Sequence, residues 1–165
     1  MDDRDHRLLQ RLFADARITV EGAKPEAIAS FEERLGFEFP SLFERILLRS
    51  NGGDFCFGQL AATPFVPDAP AASPEREWER YLGQLFLPEA DQHHPVLSAR
   101  RAFPFAHDYG TGYSCFDLAE TDPDKMPVLF IPDHAHDEGY ADFVPELEAE
   151  SFAEFVEMCI ARGGM

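Results

Sequence analysis

Residues 28–53 read IASFEERLGFEFPSLFERILLRSNGG, and this stretch contains two helices with well-marked ends. Pro25 stands where a proline in the first helical turn is tolerated. Apolar residues then recur at helical spacing as far as Leu35, and Gly36 supplies the left-handed residue that commonly ends a helix. The sequence therefore predicts a first helix over residues 25–35.

A second helix follows after a short extended link. Pro40 opens it, and Asn51-Gly52-Gly53 stops it. We expect this helix to run from Ser41 to Ser50. Its predicted apolar face consists of Leu42, Phe43, Ile46 and Leu47.

The rest of the chain favours an amphipathic helix over residues 4–15, a short extended link at 18–20, and strands later in the sequence. Two apolar runs separated by a glycine-containing loop predict a hairpin. A proline- and alanine-rich loop at 61–74 precedes a helix that begins at Ser73 and Pro74. The predicted strands cover residues 54–58, 103–106, 113–118 and 128–131.

The C-terminal segment has the capping box Ser151-Phe152-Ala153-Glu154, in which Ser151 caps the helix and Glu154 occupies the third helical position. An apolar face follows until Gly163. With helices at both ends and strands between them, the fold class is α+β. We expect a small antiparallel or mixed β-sheet covered by N-terminal helices and a C-terminal helix.

Composition limits the class of protein. A chain of 165 residues is most simply one domain over residues 1–165. Its three cysteines are widely spaced, so we expect no disulfide framework and no metal clip. The charged N-terminus does not resemble a signal peptide, and no apolar run approaches the length of a membrane span. These features predict a cytoplasmic protein.

The chain is strongly acidic, with 31 Asp and Glu against 14 Lys and Arg and a formal net charge of -17. Such a charge repels nucleic acid and anionic membranes, whereas it attracts a basic protein and accelerates the encounter. We therefore expect neither direct nucleic-acid binding nor membrane binding. The charge either serves a basic partner or only keeps the protein soluble, and composition leaves both possibilities open.

The helix boundaries resemble those of SMI1/KNR4-like (SUKH) domains, whose pattern is an acidic helix, Leu-Gly, an apolar residue, Leu-Pro or a near equivalent, a helix and Asn-Gly-Gly. The matching positions here are Leu35-Gly36, Phe39-Pro40 and Asn51-Gly52-Gly53. The resemblance covers about residues 25–58 and 102–162, which makes residues 59–100 a segment atypical of the family. Members of this family are known mainly as immunity proteins that neutralise bacterial toxins, many of them nucleases, and some are regulators of cell-wall assembly.

Candidate catalytic groups are few. His134 and His136 lie in Asp133–Glu138, where alternate residues of an extended segment point to the same side and both imidazoles could face one metal ion. Such clusters are more often solvated loops. Ser114 and Cys115 lack the surroundings of a known nucleophile motif. We therefore expect no enzyme activity, no cofactor and no metal, with the two histidines as weak metal candidates.

The predicted hairpin offers a candidate surface for binding a partner. Asp108, Tyr109, Tyr113 and Asp133 combine tyrosine rings with carboxylates, and this combination suits a basic protein surface. Alternatively, Tyr113 packs against a helix and Tyr109 only fills the loop.

Three functions remain open from the sequence. The first is a non-catalytic immunity protein that binds a cognate toxin, as the resemblance implies, and the net charge of -17 favours a basic toxin. The second is a regulatory scaffold, which the same resemblance allows. The third is a metal-dependent hydrolase, which rests only on the His134 and His136 cluster.

Overall fold

The structure, a computed structural model, describes residues 3–60, 65–66, 101–108, 111–132 and 144–163. The α-helices in these ranges are α1 (Asp3–Ala14), α2 (Pro25–Leu35), α3 (Ser41–Arg49) and α4 (Phe152–Gly163). The strands are β1 (Ile18–Thr19), β2 (Gly53–Phe55), β3 (Gly58–Leu60), β4 (Ala102–Asp108), β5 (Gly112–Asp117), β6 (Val128–Pro132) and β7 (Glu146–Ala149). The helix predicted from Ser73 onward lies outside the described residues.

The seven strands found in the described part of the chain form one antiparallel sheet in which spatial order follows chain order. The α+β prediction is confirmed, and of its two alternatives the sheet is antiparallel rather than mixed. Because consecutive strands are neighbours, β3 and β4 lie side by side although residues 61–101 separate them in the chain. The helices pack on one another, with contacts between α1 and α4, α1 and α3, and α3 and α4.

The core between helices and sheet is rich in phenylalanine. Phe43 of α3 is fully buried and makes edge-to-face contacts with Phe105, Phe116 and Phe152 at centroid distances of 5.6, 5.2 and 5.3 Å. Phe105 stacks on Phe116 at 4.3 Å. Each such ring buries a large apolar area and adds aromatic pair energy, so this cluster dominates the stability of the fold.

The link between α2 and α3 is fixed by backbone hydrogen bonds. Gly36 adopts the left-handed conformation (φ 77°), and its N–H donates to the carbonyl of Glu32 at 2.8 Å. The Glu32 carboxylate accepts from the N–H of Phe39 at 2.6 Å. Burial raises the pKa of Glu32 to about 7, and the nearby carboxylate of Glu44 adds to the shift.

Helix α3 is capped by another part of the chain. Pro40 occupies the N-cap position rather than the first helical position, and α3 ends at Arg49, one residue earlier than expected. The N–H and the hydroxyl of Ser41 both donate to Asp124 Oδ1 at 2.8 Å. Asp124 lies in a 3₁₀ helix, Pro123–Lys125, so this bond ties the start of α3 to the connection between β5 and β6.

The segment Asn51-Gly52-Gly53 does more than stop a helix. The buried Asn51 side chain accepts from the N–H of Val66 and donates to its carbonyl, both at 2.7 Å. The backbone carbonyl of Asn51 also accepts from the N–H of Phe65 at 3.0 Å. Gly53 lies so close to β1 that an added Cβ would stand 2.4 Å from the carbonyl oxygen of Ile18.

One strand prediction was wrong and one strand was missed. Residues 54–58 are not one strand, because β2 ends at Phe55, a turn follows, and β3 begins at Gly58, with which Phe55 pairs. The extended link predicted at 18–20 contains an edge strand, β1, that pairs with β2. Strand β7 was not predicted from the sequence, and its pattern Glu-Leu-Glu-Ala is disrupted by a bulge described below.

Helix α4 starts as the capping pattern predicts. The Ser151 hydroxyl accepts from the N–H of Glu154 at 3.3 Å. The Glu154 carboxylate accepts from the N–H of Glu150 at 3.1 Å, one residue before the position a standard capping box uses. Phe152 and Phe155 then enter the core.

Candidate functional site

A cleft of about 510 Å³ opens on the helix-facing side of the sheet, beside the C-terminal end of α4. It lies beyond the edge of the phenylalanine core, where the last turn of α4, the β2–β3 hairpin and the chain after α1 meet the ends of the central strands. The polar and charged residues that line it are Asp15, Arg17, Asp108, Ser114, Glu148 and Arg162.

A β-bulge places Glu148 in this cleft. Val128 pairs with Ala149 and Leu129 pairs with Leu147, so Glu148 is an extra residue between two pairs of the β6–β7 ladder. The hydroxyl of Ser114 donates to Glu148 Oε2 at 2.8 Å. Burial raises the pKa of Glu148, and this hydrogen bond works in the opposite direction.

Asp108 lies at the end of β4, and the hairpin turn holds it in place. The Thr111 hydroxyl donates to the backbone carbonyl of Asp108 at 2.8 Å and lies 3.1 Å from its carboxylate. Asp108 is exposed, and its negative charge is one of the influences that raise the pKa of Glu148. The two carboxylates are therefore within electrostatic range of each other.

The apolar part of the cleft comes from aromatic rings and two thiols. Phe130 is partly exposed, whereas Phe55, Phe57 and Phe155 are buried. Burial raises the pKa of the Cys56 thiol to about 11 and that of Cys159 to about 12. Both cysteines are free, and thiols with such pKa values are poor nucleophiles at neutral pH.

The rim of the cleft carries charges of both signs. Asp15, Arg17 and Arg162 are exposed. The positive charge of Arg162 lowers the pKa of Glu148, but less strongly than burial raises it. Among the described residues, neither Arg17 nor Arg162 forms a side-chain ion pair within 4.0 Å. Both guanidinium groups are thus available at the entrance.

Two of the residues that were predicted to bind a partner, Asp108 and Tyr113, lie on opposite faces of the sheet. Asp108 lines the cleft, whereas Tyr113 lies on the opposite face of the sheet, where its ring is 5.0 Å from that of His107. The register explains the division, because His107 pairs with Tyr113 while successive residues of a strand point to opposite faces. Tyr109, Asp133, His134 and His136 lie outside the described residues.

Sequence reasoning missed most of the cleft. Ser114 was considered only as a nucleophile, although a polar residue at an inward-facing strand position, two residues before Phe116, was a signal for a site. Glu148, Arg17 and Arg162 gave no comparable signal, since their proximity depends on tertiary structure. Cys115 is fully buried, and burial raises the pKa of its thiol well above the usual value.

Two further features concern metal binding and membrane insertion. Within the described ranges, no group of three or more His, Cys, Asp or Glu residues is arranged to hold a metal ion. The same part of the chain contains no helix with the length and apolar character needed to cross a bilayer.

The described residues define an α+β domain with a helix-covered antiparallel meander and a cleft of mixed charge. The chain belongs to the SMI1 / KNR4 family (SUKH-1), whose model matches residues 22–158, and the resemblance seen in the helix boundaries is thereby confirmed. This family is generally non-enzymatic, and membership supports a binding role as an immunity or regulatory domain.

A separate comparison found a partial match to a much longer protein. A stretch of 58 residues, 34% of this chain, is 38% identical to part of ABC transporter G family member 9 of Dictyostelium discoideum. The match spans 4% of the length of that protein, so it carries no argument about transport.

Proposed function

We propose that this domain is a bacterial immunity protein that binds a basic protein toxin in the cytoplasm and neutralises it without chemical turnover. The observation that carries the proposal is membership of the SMI1 / KNR4 family (SUKH-1) in a chain with a net charge of -17. A strong field of one sign steers an oppositely charged protein toward its binding surface. A nuclease toxin is a suitable partner, because proteins that bind nucleic acid are commonly basic.

The proposed contact surface includes the cleft. Asp108 is exposed there, and we propose that its charge attracts the partner. Tyr109 and Asp133, which lie outside the described residues, remain proposed contacts from the sequence. Tyr113 lies on the other face of the sheet beside His107, so a partner that contacts both Asp108 and Tyr113 must reach around the hairpin β4–β5.

The experiment is co-purification of the tagged domain with the products of neighbouring genes, followed by a rescue assay. A neighbouring basic protein should be toxic when expressed alone and harmless when this domain is co-expressed. Stopped-flow association should slow markedly as salt rises, because exposed charges are screened beyond about 8 Å at physiological ionic strength. Co-purification with a non-toxic protein, and no rescue, would instead favour a regulatory scaffold.

A charge-neutral variant and a matched control show whether the association rate depends on a charge at the cleft or only on the overall charge. Asp108→Asn should chiefly lower the association rate, since rim charges act on encounter more than on dissociation. Glu33→Gln removes the same charge from an exposed position on α2, a helix that contributes no residue to the cleft. Equal effects of the two variants would mean that only the overall charge matters.

The hydrolase alternative is tested separately. Untagged protein should contain far less than one equivalent of zinc, and a chelator should leave its melting temperature unchanged. Stoichiometric zinc that is lost in a His134→Ala/His136→Ala variant would overturn the proposal of a purely binding function.

A further inference from the structure

The cleft combines apolar residues with two carboxylates that differ in exposure. Glu148 is partly buried, and its Oε2 accepts from Ser114. Among the described residues, Glu148 Oε1 accepts no hydrogen bond. Asp108 also lines the cleft, and it is exposed. A ligand in the cleft can therefore meet one partly buried and one exposed carboxylate.

Phe130 lines the cleft together with these carboxylates. It pairs with Ser114 across the β5–β6 ladder, and the tip of its ring approaches Gly112, where an added Cβ would be 2.7 Å from Cζ. Ring faces attract cations, and guanidinium groups stack on them particularly well. An aliphatic stem would gain further burial against the apolar lining.

The charge of the cleft matches one cation. Its three carboxylates, Asp15, Asp108 and Glu148, stand against two arginines, Arg17 and Arg162, which leaves one formal negative charge. The arginines at the rim repel a second cation, so the cleft suits a single positive group rather than a run of them.

We propose that this cleft is the socket for one arginine side chain of the basic partner, with the guanidinium between Glu148 and Asp108 and its stem against Phe130. The planar fork of arginine can donate to two carboxylates at once, whereas a lysine ammonium is a point charge with strong hydration. The socket rests on the proposed function, and it specifies which group of the partner is recognised. Because Glu148 is partly buried, its pair with the guanidinium is the more desolvated contact and should act mainly on dissociation, whereas Asp108 remains an exposed rim charge that acts mainly on association.

The first test needs no knowledge of the partner. N-acetyl-arginine amide is titrated into the isotope-labelled protein, and backbone amide shifts are followed by NMR. We expect saturable shifts that cluster at Asp108, Ser114, Glu148 and Arg162, and none with N-acetyl-norleucine amide, which has the stem without the charge. N-acetyl-lysine amide should bind more weakly than the arginine probe.

Two variants distinguish binding at the socket from attraction by the overall negative charge of the protein. Glu148→Gln keeps an acceptor for the Ser114 hydroxyl but removes the charge, and it should weaken the arginine probe at least tenfold. Glu33→Gln on α2 should leave binding unchanged. Absence of saturable shifts, shifts scattered over the surface, or equal weakening by both variants would overturn the proposal.

The same variant distinguishes the socket from the immunity function once a toxin is known. If toxin binding is unaffected by Glu148→Gln, the socket is wrong and the immunity function stands. If the arginine probe binds at the cleft and depends on Glu148 but no neighbouring gene encodes a neutralised toxin, the socket stands and the immunity function is wrong.

Discussion

Two β-bulges in one sheet serve opposite purposes. In β4 the bulge makes Phe105 an extra residue between the pairs Pro104–Cys115 and Ala106–Ser114, and its ring stacks on Phe116 in the core. In β7 the bulge makes Glu148 the extra residue, and its carboxylate enters the cleft. A β-bulge thus places an additional ring in the core at Phe105 and a carboxylate in the open cleft at Glu148.

The two bulges show that the helix-facing side of the sheet has a core region and a cleft region. Along β5, Phe116 lies within the core and Ser114 lies at the cleft. Residues toward the core end stabilise the fold, whereas the lining of the cleft includes the buried Ser114, the partly buried Glu148 and the exposed Asp108. Substitutions at the two bulges should therefore separate stability from binding.

The largest effect is expected at the first bulge. Phe105→Ala should lower the free energy of unfolding by about 3–5 kcal/mol, because it removes a fully buried ring and leaves a cavity. Glu148→Gln, at the second bulge, should change stability far less. Urea denaturation of both variants measures this, and similar losses at the two positions would contradict the division.

Asn51 tests a buried polar group that belongs to the fold rather than to the cleft. Asn51→Ala leaves both the N–H and the carbonyl of Val66 without the Asn51 side chain, and a buried unsatisfied group costs about 1–3 kcal/mol. We expect a loss of about 2–3 kcal/mol by chemical denaturation. Gln59→Ala, an exposed change on β3, is the control and should stay within about 0.5 kcal/mol.

Helix α4 connects the two regions, since it begins at the core with Phe152 and ends at the cleft with Arg162. Ser151→Ala should cost about 0.5–2 kcal/mol, the usual loss on removing an N-cap oxygen. Ser151→Thr keeps the hydroxyl oxygen and should retain most of the stability that Ser151→Ala loses. An unchanged thermal midpoint for the alanine variant would argue that the cap contributes nothing.

A further test concerns the pH dependence of stability. Glu32 has a folded pKa of about 7 against an ordinary value of 4.5, so the folded state binds its proton more tightly than the unfolded state. Its contribution should make stability fall as pH rises from about 4.5 to 7. Glu32→Gln should flatten this slope in denaturation series from pH 5 to pH 8.

Glu148 can be compared with Glu32. Burial raises the pKa of both carboxylates, but Glu148 lines an open cleft that a ligand can enter. Side-chain NMR titration should show the pKa of Glu148 falling when N-acetyl-arginine amide is added, since a nearby cation favours the charged carboxylate. The pKa of Glu32 should not change. A parallel change at both sites would indicate a general ionic effect.

The helices were predictable from the sequence because their signals are local. Gly36, the apolar spacing and Ser151 each act within a few residues. The bulge in β7 was not predictable, since it reverses the usual alternation: Leu147 is 50% exposed while the neighbouring Glu148 is partly buried. The hairpin turn at Cys56-Phe57 lacks the glycine and asparagine typical of two-residue turns, so β2 and β3 read as one strand.

Asn51 also has a consequence for how this chain can change over generations. Its hydrogen bonds hold Phe65 and Val66 to the end of α3. The pair Leu60–Ala106 is the last one of the β3–β4 ladder at the end of β3. Residues 67–100 are therefore inserted between points that the fold already fixes. Because both ends of this stretch are held by the described framework, its length and composition can vary over generations while the register of the sheet stays the same. Lineages that need a new recognition surface have room here to acquire one while the framework stays the same.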